Sequence, residues 1–211
     1  MKSIYNVKQK SVFSIEFTLI ECMVVITVIV ILISILLPSL SMARKEVNKI
    51  VCYNNLKQIN YAENMYLQDF NGYFHMTASN FSSLDPSRFW DSALVEQKYI
   101  DWKSFRCPER QKLKTAIDTN PSDYVPNMYV FKPFITDSDF LNISQIKYPS
   151  ETLLILDMQA EPLGRGLASS GITSRIGYLH RGGINTLFVD GHTQWFRYGK
   201  LKNSYYTLER D

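Results

Sequence analysis

Four residues in the last third of the chain carry side chains that bind metals or move protons: Asp157, His180, Asp190 and His192. Imidazole nitrogens and carboxylate oxygens are donor types that Zn²⁺ takes in protein sites. Carboxylates also suit Ca²⁺, but the sequence has no D-x-D-x-D-G loop to wrap that ion. His180 and Asp190 flank the apolar run Ile184-Asn-Thr-Leu-Phe-Val189. A straight strand of that length would hold them about 30 Å apart. They share one ion only if residues 181–183 fold back, which the pair Gly182-Gly183 permits. The competing reading makes Asp190-Gly191 a plain hairpin turn, with His180 and His192 hydrogen-bonded to nearby backbone.

Cys52 and Cys107 are a second candidate pair. They can form a disulfide if this region lies outside the cytoplasm, and closing that loop would stabilise the fold by about 4 kcal/mol. The alternative is two free, buried thiols. No G-x-S-x-G, P-loop or Cys-x-x-Cys pattern occurs, so the sequence offers no reason to read an enzyme.

The third chemically telling feature is a single residue, Glu21. It stands at the start of Cys22–Leu37, a run of Val, Ile and Leu with no formal charge. A carboxylate near lipid is costly and marks function. From Phe17 to Leu37 a helix would extend about 31 Å at about 1.5 Å per residue, which matches a hydrocarbon core of about 30 Å. Lys2, Lys8 and Lys10 precede it, which places the N-terminus in the cytoplasm and the rest of the chain outside, anchored in the inner (cytoplasmic) membrane. A secreted protein cleaved near Ser41 is a weaker alternative, because the apolar run is longer than a signal peptide needs.

The elements that must position these residues follow from periodicity. Ala43, Val47 and Ile50/Val51, then Leu56, Ile59, Ala62/Glu63, Tyr66 and Phe70, recur at helical spacing beyond a kink at Pro38, and Asn71-Gly72 stops the pattern. Trp90–Ile100 reads as a short helix and Phe105-Arg-Cys-Pro108 as an extended corner. Met128–Phe131, Thr152–Leu156, Ile184–Val189 and His192–Tyr198 read as strands, with an exposed loop over 159–176. The expected class is α+β: a long N-terminal helix, its first half transmembrane, packed on a small antiparallel sheet. The boundaries are a basic leader 1–16, a membrane segment 17–38, an amphipathic continuation 39–71 and a head 72–211. The net charge of +3 is small and its Lys and Arg are dispersed, which argues against nucleic acid as partner.

The stretch Phe17-Thr-Leu-Ile-Glu21, the basic leader, the apolar run and Pro38 together resemble the N-terminus of type IV pilin-like and type II secretion pseudopilin-like proteins. The resemblance implies cleavage by a prepilin peptidase between Glu16 and Phe17, methylation of Phe17, and assembly of like subunits through Glu21. One departure is Glu16, where the family has Gly. A small residue lets the backbone enter a protease cleft, and a carboxylate obstructs it. His180-Arg-Gly-Gly-Ile-Asn-Thr-Leu-Phe-Val-Asp-Gly191 resembles the C-terminal H-x9-DG signature of a bacterial prepilin-like family, and Cys52–Ile59, Phe105–Pro108 and the strand Leu153–Asp157 resemble other parts of that family's pattern. The expected function is a structural subunit of a filament or pseudopilus. The alternative is an uncleaved single-pass protein whose head binds a ligand or metal.

Overall fold

A computed structural model describes residues 18–75, 90–111, 122–127, 129–131, 140–157, 180–197, 199–205 and 208. Glu16, Phe17, the leader and the loop expected over 159–176 lie outside the described residues. The chain divides into two units, Met1–Met42 and Ala43–Asp211.

Helix α1 runs Leu19–Asp69, with Pro38 inside it. Every described side chain of the first unit, from Thr18 to Met42, is exposed. The Val, Ile and Leu side chains there are turned outward. The helix is long and apolar enough to cross a membrane. Its N-terminus is a capping box: the Thr18 backbone N–H and hydroxyl donate to Glu21 Oε2 at 2.8 and 2.7 Å, and the Glu21 N–H returns a longer bond to the Thr18 hydroxyl at 3.4 Å.

In the second unit α1 buries Cys52, Asn55, Leu56, Ile59, Asn60, Ala62, Glu63 and Leu67. This corrects the expected stripe. Val47, Ile50 and Val51 are exposed, because at about 3.6 residues per turn they fall on the side opposite Leu56 and Ile59. Glu63 is tolerated inside because both its oxygens face His75 Nε2, at 2.9 and 3.2 Å. The helix ends where expected. Asn71 (φ 55) and Gly72 (φ 82) turn left-handed, and the Gly72 N–H reaches back to the Leu67 carbonyl.

Strands β1 (Tyr124–Pro126), β2 (Leu153–Asp157), β3 (Gly183–Phe188) and β4 (Thr193–Arg197) form an antiparallel meander in chain order. Short helices α2 (Trp90–Glu96) and α3 (Pro108–Gln111) precede it. The fold is α+β. The strand expected at Met128–Phe131 is instead β1, four residues earlier. Asn127 ends it: its side chain accepts from the Tyr129 N–H and donates to the Leu153 carbonyl. Val130 and Phe131 then turn into the core. Pro126 is tolerated because β1 lies at the sheet edge.

A bulge between Leu153 and Ile155 breaks the alternation of β2. Leu154 and Ile155 therefore join Leu56, Ile59, Leu187 and Trp90 on one side. Leu153 and Leu156 join Val125, Ile184, Phe188 and Phe196 on the other.

Two adjacent glycines separate the effects of space and backbone. A Cβ on Gly183 would lie 2.4 Å from the Phe196 carbonyl oxygen, whereas one on Gly182 (φ +75) meets nothing within 4 Å. Gly183→Ala should therefore cost about 2–3 kcal/mol by prising β4 from β3, against about 1 kcal/mol for Gly182→Ala. Urea denaturation of the two variants in detergent checks the order.

Candidate functional site

Three segments remote in sequence bring sulfur and nitrogen atoms together in the interior. Cys52 comes from the buried face of α1, Cys107 from the corner before α3, and His180 from the turn before β3. One ligand atom from each lies within 4.8 Å of the other two. Cys52 Sγ and Cys107 Sγ are 2.7 Å apart. His180 Nε2 is 3.4 Å from Cys107 Sγ and 3.1 Å from Asp157 Oδ2. Both sulfurs and the Asp157 side chain have no exposed surface.

Each member is fixed by its own neighbours. The Cys107 N–H donates to Asp123 Oδ2, and Asp123 Oδ1 accepts from Arg110 Nε. Asn55 on α1 donates to the Arg106 carbonyl and ties the corner to the helix. His180 and Gly183 exchange backbone hydrogen bonds across Arg181 (φ 53) and Gly182 (φ 75), a turn of the primed type. The Trp195 indole donates to the His180 carbonyl. Asp157 ends β2 beside the start of β3, where the Asn185 N–H and amide donate to its two oxygens at 2.7 Å each. The Asn185 amide also reaches the Lys49 carbonyl on α1.

The charges follow from these contacts. The hydrogen bond from Cys52 does most to hold the Cys107 thiol down; burial opposes it and His180 adds to it, leaving Cys107 at about 6. Giving that hydrogen bond, together with burial, pushes Cys52 up. Burial works against a charged His180, but the hydrogen bonds and charges of Asp157 and Cys107 outweigh it and raise the ring to about 10. With both cysteines reduced, these contacts favour charge on Cys107 and on His180 beside Asp157.

Its residue types are those of a nucleophilic triad, yet its geometry differs. A relay uses one ring nitrogen toward the nucleophile and the other toward the carboxylate. Here Nε2 faces both, and Nδ1 is buried without a hydrogen-bond partner. The arrangement can hold a thiolate, close a sulfur–sulfur bond or present sulfur and nitrogen to a soft cation.

These charges set a pH dependence for the reduced chain. His180 is raised from 6.5 to about 10, so its contribution is whole below 6.5 and is lost as pH rises through about 10. Cys107 is lowered from 9.0 to about 6, so its contribution is present above 9.0 and is lost as pH falls through about 6. Between 6.5 and 9.0 the two slopes oppose. Unfolding midpoints of the reduced chain should therefore be flat there, fall toward pH 10 and fall again toward pH 6.

The four residues first singled out separate into two pairs. Asp157 and His180 meet at one end of β3. Asp190 and His192 meet at the other, where His192 Nδ1 lies 2.6 Å from Asp190 Oδ1 and the His192 N–H donates to the same oxygen. Gly191 (φ +85) packs its backbone on α1: its carbonyl accepts from Lys57 Nζ, and a Cβ there would lie 2.8 Å from the Asn60 amide. The spacing of His180 from Asp190-Gly191 is thus the turn plus β3, and the two ends of that span reach α1 near Cys52 and at Lys57 and Asn60.

Residue types alone did not join the cysteines to His180 and Asp157, nor single out Asn185. A usable signal was Asn185 itself, a polar residue inside an apolar strand, which requires a buried partner. Compared with models of protein families, with curated proteins and with solved structures, the chain matches none.

Proposed function

We propose that the chain is a pilin-like or pseudopilin-like structural subunit. In this reading α1 anchors it in the membrane with the N-terminus cytoplasmic and the head outside, and copies associate laterally through α1. The observation that carries the reading is the apolar surface of the helix. Leu19–Leu37 is outward-facing and apolar, with one carboxylate at its start. Further apolar side chains, Val47, Ile50, Val51, Tyr61 and Met65, stay exposed opposite the face that packs into the head, with Asn54 and Gln58 between them. Lipid covers the first stretch of a single chain but not these side chains, whereas a neighbouring helix covers both.

Intact-mass and N-terminal peptide analysis of the protein from its native membrane tests the processing step. A chain that begins at N-methyl-Phe17 supports a processed subunit. A chain that retains Met1–Glu16 removes the free amine that Glu21 would meet and favours the second reading, an uncleaved single-pass protein with a ligand- or metal-binding head. That reading draws on the convergence of Cys52, Cys107 and His180.

A further inference from the structure

We propose that Cys52 and Cys107 are the site of a structural disulfide that fastens α1 to the head, and that Cys107 is the sulfur through which it forms. Both thiols are free in the structure, and their close approach favours sulfur chemistry over a metal. Two thiolates on one zinc, at about 2.3 Å each in a tetrahedron, sit about 3.8 Å apart. The two sulfurs here are 2.7 Å apart, well inside that edge. A metal would also need the lone pair of His180 Nε2. That nitrogen instead lies between the Asp157 carboxylate and Cys107 Sγ, where a proton on it satisfies both. His180 Nε2 is thus already engaged by the Asp157 carboxylate and Cys107.

The same contacts make the two sulfurs unequal. His180 touches Cys107. Among the described residues Cys52 has no such cation, and it donates its S–H to Cys107. The thiolate is the nucleophile in thiol–disulfide exchange, and the ring contact that favours it is made to Cys107, so Cys107 attacks first. Its sulfur bonds to one sulfur of an exogenous disulfide, and the other sulfur of that oxidant leaves as a thiolate. Cys52, losing its proton, then attacks the Cys107 sulfur of the mixed disulfide. The Cys52–Cys107 bond forms and the second thiolate of the oxidant leaves. Two electrons pass from the chain to the oxidant, whose two thiolates take up one proton from Cys52 and one from water to end as two thiols. Asp157 and His180 are positioning residues in this step: they set the charge on Cys107 and touch no oxidant.

The bond closes a loop between residues 52 and 107 that contains α2 and most of the helix face that enters the core. It acts within the head, so it stands or falls apart from lateral assembly of the membrane helix.

The test uses the full chain, extracted from membranes in detergent with thiols blocked at lysis, then denatured and alkylated with and without prior reduction. The expected result is one alkylated cysteine, Cys22, before reduction and three after it, with no stoichiometric metal. Three reactive thiols with one equivalent of zinc would replace the disulfide by a metal site. Three reactive thiols without metal would leave a free buried pair, and either outcome overturns the proposal.

The order of attack has its own test. Refolded with glutathione disulfide, Cys52→Ser should accumulate a glutathione adduct on Cys107 several-fold above that on Cys52 in Cys107→Ser; equal or reversed trapping overturns the assignment of Cys107. His180→Gln should slow closure of the reduced wild-type cysteines about tenfold at pH 7, with the difference shrinking toward pH 9 as both chains ionise. A residue with a merely structural role would slow closure equally at both pH values.

Discussion

In membranes that also hold the wild-type chain, Glu21→Ala and Glu21→Gln are both expected to insert normally and to be excluded from assemblies. The structure makes the pair more informative than either alone. Glu21 already has local partners, since it completes a capping box with Thr18. Removing that box costs about 1 kcal/mol of helix stability, too little to prevent a long apolar helix from entering lipid. Gln preserves the box, because its side-chain oxygen can accept the same Thr18 N–H. It removes only the charge. If assembly depends on the carboxylate meeting a cation from another copy, Gln fails as Ala does. Normal assembly of the Gln variant would instead make Glu21 a helix cap and nothing more. Co-purification of tagged and untagged copies from membranes reads the difference.

Asp157→Ala carries the largest expected effect on the head. Asp157 accepts two hydrogen bonds from Asn185 and faces His180, all at buried positions. Truncation leaves the buried Asn185 N–H without its acceptor and His180 Nε2 with Cys107 Sγ in place of a carboxylate. Breaking a buried pair in this way costs about 3–5 kcal/mol, a large part of the about 5–15 kcal/mol that holds an ordinary domain together. Asp157→Asn keeps an acceptor for the Asn185 N–H and should recover part of that loss. Urea midpoints at pH 7 check the order: wild type, then Asn, then Ala. An Ala variant as stable as wild type would mean that the cluster is not a stabilising element.

The local elements were readable where short-range chemistry decides them. Asn71-Gly72 stops α1 because its two residues take positive φ. Asp190-Gly191 turns β3 into β4 because Gly191 takes φ +85. The apolar run over 152–156 is a strand buried on both faces. What sequence alone left open depends on long-range contact. The helical stripe that includes Val47, Ile50 and Val51 has the period of a core face, yet only the stripe carrying Leu56 and Ile59 meets the sheet. The strand expected at Met128–Phe131 has the right residue types, but Asn127 turns the chain first through contacts with Leu153, which lies in another strand. The cluster was half visible. Its residues were all chemically conspicuous, but their grouping depends on β2 pairing with β3, which sets Asp157 beside Asn185 and close to His180. The same pairing leaves Asp190 and His192 at the far end, so four residues that look like one ligand set become two pairs.

Lateral association through the N-terminal helix is tested most directly by cross-linking at Cys22. This cysteine is exposed, follows Glu21 in the chain, and is chemically distinct from the buried Cys52 and Cys107. A membrane-permeant bis-maleimide applied to intact native membranes should give a covalent dimer, the largest product that one accessible cysteine per chain allows. The dimer should vanish in Cys22→Ser and fall to background in Glu21→Gln. A wild-type chain that stays monomeric at its native density, or a Glu21→Gln dimer yield equal to that of wild type, would contradict assembly through Glu21.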